Sequence, residues 1–105
     1  MDNYIIVLTT FGTKDEALRV TEKLLKARLI ACVNILDSID SLFHWKGKIE
    51  NSREALAIMK TQKKHLEELM EWIHTHHSYS VPEIIALPII GGSGDYLNWI
   101  KEETS

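Results

Sequence analysis

A single cysteine, Cys32, excludes any disulfide within the chain, and only two prolines and five glycines punctuate its 105 residues. One unpaired thiol fits a reducing compartment. No apolar run approaches the ~18–20 residues a membrane span requires. The opening Met1-Asp2-Asn3-Tyr4 lacks the basic region and apolar stretch of a secretory leader, so a cytoplasmic location is expected. A surplus of positive charge is also missing. Twelve Lys plus Arg stand against 15 Asp plus Glu, a formal net charge of −3, which is the wrong sign for a protein whose main task is to grip nucleic acid. No internal repeat, low-complexity stretch or block of like charge divides the chain. What remains is ordinary: 45% hydrophobic and 26% charged residues, a globular composition at the length of one domain, 1–105, without a linker.

Tyr4 to Thr10 is a β-branched and aromatic run, apolar almost throughout, which predicts a strand covered on both faces. Gly12 breaks it. Thr13 with Glu16 then forms a capping box, and Ala17, Val20, Leu24 and Ala27 recur at helical spacing, so a helix runs to about Arg28. Ile30 to Leu36 reads as a second strand, and Lys46-Gly47 allows a reversal. Lys48 to His77 admits two readings. One is a helix of about 25 residues, favoured by Ala, Leu, Met and Lys. The other is a strand over Ile49 to Lys60, then Thr61 as the N-cap of a helix from Lys63 to about His76. Glu83 to Ile90 predicts a strand that Pro88 confines to an edge, a bulge or an end. Asp95 to about Glu103 predicts a short amphipathic helix.

With the split, the order is βαββαβ plus a terminal helix: an α+β, ferredoxin-like arrangement with two helices on one face of an antiparallel sheet. The other face then lacks a cover from its own chain, which points to self-association.

Candidate chemistry is sparse. His74, His76 and His77 crowd a helix C-terminus, where imidazolium complements the dipole, and Glu83 follows past a turn, so a His/Glu metal site is stereochemically open. Cys32 reads as a small core hydrophobe. Trp45, Tyr96 and Trp99 read as core or interface aromatics. Gly91-Gly92-Ser93-Gly94 precedes a helix but matches neither a phosphate loop nor a nucleophile elbow. No catalytic triad or carboxylate dyad is present, and the chain is expected not to be an enzyme.

Several blocks resemble the divalent-cation tolerance protein CutA family over nearly the whole chain. They are Ala31-Cys32-Val33-Asn34-Ile35, Ser41 to Glu50, Lys60-Thr61, His76 to Ile89, and Asp95-Tyr96-Leu97-Asn98-Trp99. The resemblance implies a ferredoxin-like subunit with long central strands, a tight homotrimer similar to PII signalling proteins, and strand over Ile49 to about Thr61. It implies a role in divalent metal tolerance, with no obligatory cofactor but copper or another divalent cation as ligand. Carried over, the proposed ligand positions fall on Thr9, His76 and Glu83. Thr9 departs from the family's Cys, and a hydroxyl is a poor soft-metal ligand, so His76 and Glu83 are the expected metal ligands. Ser78 departs from the Pro common in that turn. His77, Tyr79 and Thr9 are the expected cleft residues. Cys32 matches a different family position. The alternative function is a PII-like small-ligand or signal-transducing module. No nucleic acid or membrane partner is expected.

Overall fold

The computed structural model describes residues 3–105. Met1 and Asp2, which begin the segment expected to carry no leader, lie outside the described residues. The first strand, β1 (Tyr4–Phe11), alternates Ile5, Val7, Thr9 and Phe11, all buried, with the half-buried Tyr4, Ile6 and Leu8. The odd set lies under two helices; the even set faces the other way. Coverage on both faces is thus incomplete within one chain.

Helix α1 (Lys14–Lys26) begins where Thr13 accepts a hydrogen bond from the Glu16 N–H at 3.1 Å. It ends before the expected Arg28, which adopts a left-handed φ of 57°. Val20 and Leu24 drop into the core with Leu29 and Ile30. Each such apolar side chain contributes about 1.5–3 kcal/mol on burial.

The ambiguous stretch is strand. β2 (Cys32–Trp45) and β3 (Lys48–Gln62) form a long antiparallel hairpin. Lys46 (φ 51°) and Gly47 (φ 77°) supply the two left-handed residues of its turn, as the twist of a two-residue hairpin requires. A register shift between Leu36 and Ile39 bends it, with Ser38 at φ 56°. Thr61 is therefore no N-cap. It is the penultimate residue of β3, and its hydroxyl donates to the Leu29 carbonyl at 2.7 Å. Helix α2 (Leu66–His76) is entered instead through a tight turn at Lys63–His65, with no side-chain cap.

Strand β4 (Ile85–Pro88) is shorter than the expected Glu83 to Ile90. It pairs along β1 at the sheet edge, giving the order β2-β3-β1-β4, all antiparallel. Pro88 closes it where a missing N–H is tolerated. Helix α3 (Gly94–Glu103) corrects the uncovered-face expectation in part, because Ile100 is fully buried there, outside the main core. Gln62 donates to the Thr104 hydroxyl at 2.9 Å, and His65 Nε2 to the Thr104 carbonyl at 2.5 Å. Cys32, read as a core residue, is only half-buried, with its sulfur 3.3 Å from the Tyr96 hydroxyl. The rest of that face stays open at Leu36, Leu56, Ile58 and Ile85.

Candidate functional site

The loop after α2 is fixed from below by a chain of buried and part-buried polar contacts. Glu16, in the first turn of α1, accepts from the Ser78 N–H at 2.8 Å and from its hydroxyl at 3.0 Å. His77 is 8% exposed. Its Nε2–H donates to the Thr10 carbonyl at 2.7 Å, and its Nδ1 accepts from the Tyr79 N–H at 3.0 Å. A carbonyl only accepts and an N–H only donates, so these partners place the proton on Nε2. The ring stacks on Phe11 with centroids 4.6 Å apart.

This loop holds Tyr79 against Glu54 of β3, the hydroxyl donating to Oε2 at 2.7 Å. Burial, then that hydrogen bond and the Glu54 charge, push the Tyr79 pKa up to about 12. The ring lies beside Gly12, where an added Cβ would only touch it, 3.4 Å from the Tyr79 hydroxyl.

Between the loop and the β2–β3 hairpin lies a cleft of about 960 Å³, with Phe43, Trp45, Val81 and Tyr79 among its walls and Glu54 and Glu83 as acids. Burial, then the Glu54 charge, raises the Glu83 carboxyl above its ordinary range. A smaller concavity of about 380 Å³ on the far side of Glu54 meets the start of α1 beside Lys14 and Arg53.

The expected residues divide accordingly. Tyr79 and Glu83 line the cleft. His77 lies behind Tyr79 and positions it. Thr9 lies away from the cleft, fully buried on the helix-covered face opposite Ala57, because odd residues of β1 turn inward. His76, on the last turn of α2, is not among the cleft walls. It stacks on Trp72 at 5.0 Å, and its Nδ1–H donates to the Trp72 carbonyl at 2.9 Å. Among the described residues no group of three or more His, Cys, Asp or Glu side chains is placed to hold a metal ion. Glu54 and Glu16 are contributions the sequence reading missed. In the sequence Glu16 shows only as a capping-box partner, and Glu54 only as part of a possible helix start with Asn51.

The sequence profile of a family described as CutA1 divalent ion tolerance protein matches residues 5–103. The chain is 41% identical over 100 residues to "Protein CutA, chloroplastic" of Arabidopsis thaliana, covering 95% of this chain but 55% of that protein, about half its length. It is 45% identical over 100 residues to the divalent-cation tolerance protein CutA of Pyrococcus horikoshii, covering 95% and 97%. The crystal structure of CutA1 from Oryza sativa superposes with a TM-score of 0.96 at 40% identity, covering 98% and 94%. The Archaeoglobus fulgidus structure titled a periplasmic divalent cation tolerance protein CutA does so at 0.95 and 37%, covering 97% and 99%. Relatives thus carry chloroplastic and periplasmic names. Among the described residues no helix is long and apolar enough to cross a membrane.

Proposed function

The chain belongs to the CutA1 divalent ion tolerance protein family, and from that premise we propose that it serves divalent-cation homeostasis in the cytoplasm as a homotrimeric binding protein, not a catalyst. Copper or another divalent cation is held through His76 and Glu83. The observation that carries this reading is the setting of His76. Its Nδ1–H is fixed on the Trp72 carbonyl and its ring on the Trp72 indole, so Nε2 keeps its lone pair. Metal-binding imidazoles are held in this way, the second nitrogen donating to a carbonyl or carboxylate. Glu83 adds a carboxylate whose pKa is raised by burial and by Glu54, an environment that a bound cation relieves.

Two ligands do not complete a coordination sphere, so a neighbouring copy or water supplies the rest. With Thr9 in place of the family's Cys, the donors are nitrogen and oxygen, which suit copper(II) or zinc better than copper(I). Calorimetric titration of copper(II) and zinc into wild type and His76→Ala tests the site. Loss of this ligand is expected to weaken binding by about tenfold or more; equal affinity in both proteins refutes it.

A second reading, a PII-like small-ligand module, is favoured by the size of the cleft, since small-molecule sites occupy roughly 300–1,000 Å³. A thermal-shift screen with nucleotides, organic anions and amines tests it, because a ligand that binds only the native state raises the melting temperature. No shift with any of them refutes it.

A further inference from the structure

We infer that Glu16 is a positioning residue for the cation site: its carboxylate, through Ser78, fixes the turn that joins His76 to Glu83. This deepens the divalent-cation reading and rests on it.

Residues 77–82 separate the two ligands. The chain leaves α2 at His77 in an extended conformation, φ −81° and ψ 141°, so no helix holds Glu83 relative to His76. Three consecutive residues of the turn are instead tied to three different elements. His77 bonds to the Thr10 carbonyl of β1, Ser78 to Glu16 of α1, and Tyr79 to Glu54 of β3. Beyond them Pro82 is buried and Ile84 packs against the core.

Glu16 is the anchor whose chemistry has no other use. It is 7% exposed, and burying a carboxylate is costly unless hydrogen bonds offset the loss of water. Both of its side-chain bonds come from Ser78: Oε2 accepts from the N–H at 2.8 Å and Oε1 from the hydroxyl at 3.0 Å. His77 Nδ1 lies 3.9 Å from Oε2 but gives it no proton, because that nitrogen accepts from the Tyr79 N–H. Nor does the carboxylate turn back to the Thr13 N–H, as a capping box would have it. The dipole of α1 supports a charge in its first turn, and charge-assisted bonds are the stronger kind. These contacts are made inside one chain, between α1 and the turn, and hold whatever a neighbouring copy covers.

Ser78 makes the clamp possible. It stands where the resemblance expects proline, which has neither an N–H nor a hydroxyl to donate. Proline restrains its own φ; serine does not, and Glu16 supplies the restraint from outside. A site with two donors from one chain gains most from such restraint, since donors held in place beforehand lose less freedom on binding.

Copper(II) is the probe. It is titrated into the intact oligomer by calorimetry and followed by its electron paramagnetic resonance spectrum, with urea midpoints measured alongside. Glu16→Ala removes both bonds and is expected to weaken copper(II) by about tenfold, with a broader spectrum as the donor geometry loosens. Ser78→Ala keeps the N–H and loses the hydroxyl, so about threefold is expected. The amide of Glu16→Gln accepts from the N–H and donates to the hydroxyl, and this variant is expected to bind within about twofold of wild type.

A lower urea midpoint in Glu16→Ala, with copper(II) affinity and spectrum unchanged, makes the clamp purely structural and overturns the positioning role; the metal reading stands if His76→Ala still weakens binding. Glu16→Gln as weak as Glu16→Ala assigns the effect to charge at a distance and overturns it too. Affinity unchanged in His76→Ala overturns the metal reading, and the positioning role falls with it. If Glu16→Ala does not fold, Ser78→Ala, at an exposed residue, decides: no change in affinity or spectrum overturns the role of the clamp.

Discussion

Two side chains, one half-buried and one fully buried, show how differently a hydroxyl can be treated. Tyr79 has a partner, Glu54, at 2.7 Å; Thr9 Oγ1 is buried with none among the described residues. Tyr79→Phe therefore removes a charge-assisted hydrogen bond and is expected to cost about 1.5–3 kcal/mol at neutral pH. The cost is pH-dependent with a definite sign. Folding raises the Tyr79 pKa from 10.0 to about 12, so the folded chain holds this proton more tightly than the unfolded chain. The contribution is whole below pH 10.0 and is lost as pH climbs towards about 12. Urea melts of both proteins across that window are expected to converge at the alkaline end; a constant gap would remove Glu54 as the cause. Thr9→Val keeps the shape and deletes an unsatisfied hydroxyl, so it is expected to stabilise the protein by about 1 kcal/mol. The urea midpoint should rise with an unchanged slope. A lower midpoint would mean that the hydroxyl has a partner.

The elements differ in how openly the sequence declares them. β1, α1 and α3 follow from local pattern alone: a β-branched run, a capped amphipathic stretch, and an apolar stripe after a glycine segment. β3 does not, for a physical reason. Ala55, Ala57 and Met59 face the helices while Leu56 and Ile58 face the open side, so both faces are apolar and the period-2 signal disappears. Ala, Leu, Met and Lys then favour helix locally, and only pairing with β1 and β2 decides for strand. The site divides in the same way. Tyr79 and Glu83 sit in the turn between a helix and a strand, where chemistry-bearing residues stand out locally. Glu54 gains its meaning from a contact 25 positions away in sequence, invisible until the β3 register is known. Glu16 was legible as the residue whose N–H meets Thr13. Its carboxylate, however, turns to Ser78, and nothing in a capping-box pattern anticipates that.

At the scale of the whole molecule, the hairpin decides the shape and bears on the proposed association. Strands of 14 and 15 residues stretch the molecule to 44 Å along an axis whose companions are 26 and 23 Å. Leu36, Ile85 and Leu87 on the open sheet face remain 44–49% exposed, and Trp45 and Ile49 near the hairpin tip 57% and 71%. An apolar face continuous with an apolar arm is poorly suited to a monomer. In the proposed homotrimer, a head-to-tail ring closing after three copies would let each arm reach along a neighbour's sheet. The proposed trimer thus makes a specific demand on Leu36, which lies on the open face at the base of the hairpin. Leu36→Glu would place an unpaired charge in a sheet-to-sheet interface, at a cost of several kcal/mol, and is expected to yield monomers in sedimentation equilibrium. Its melting temperature should also lose the concentration dependence of an associating protein. Leu18→Glu is the matching control, since Leu18 is 46% exposed but lies on the outer side of α1, away from the sheet; it is expected to leave the assembly intact. A trimer that survives Leu36→Glu but falls apart with Leu18→Glu would put the interface on the helical layer, and would leave the open sheet face without its proposed cover.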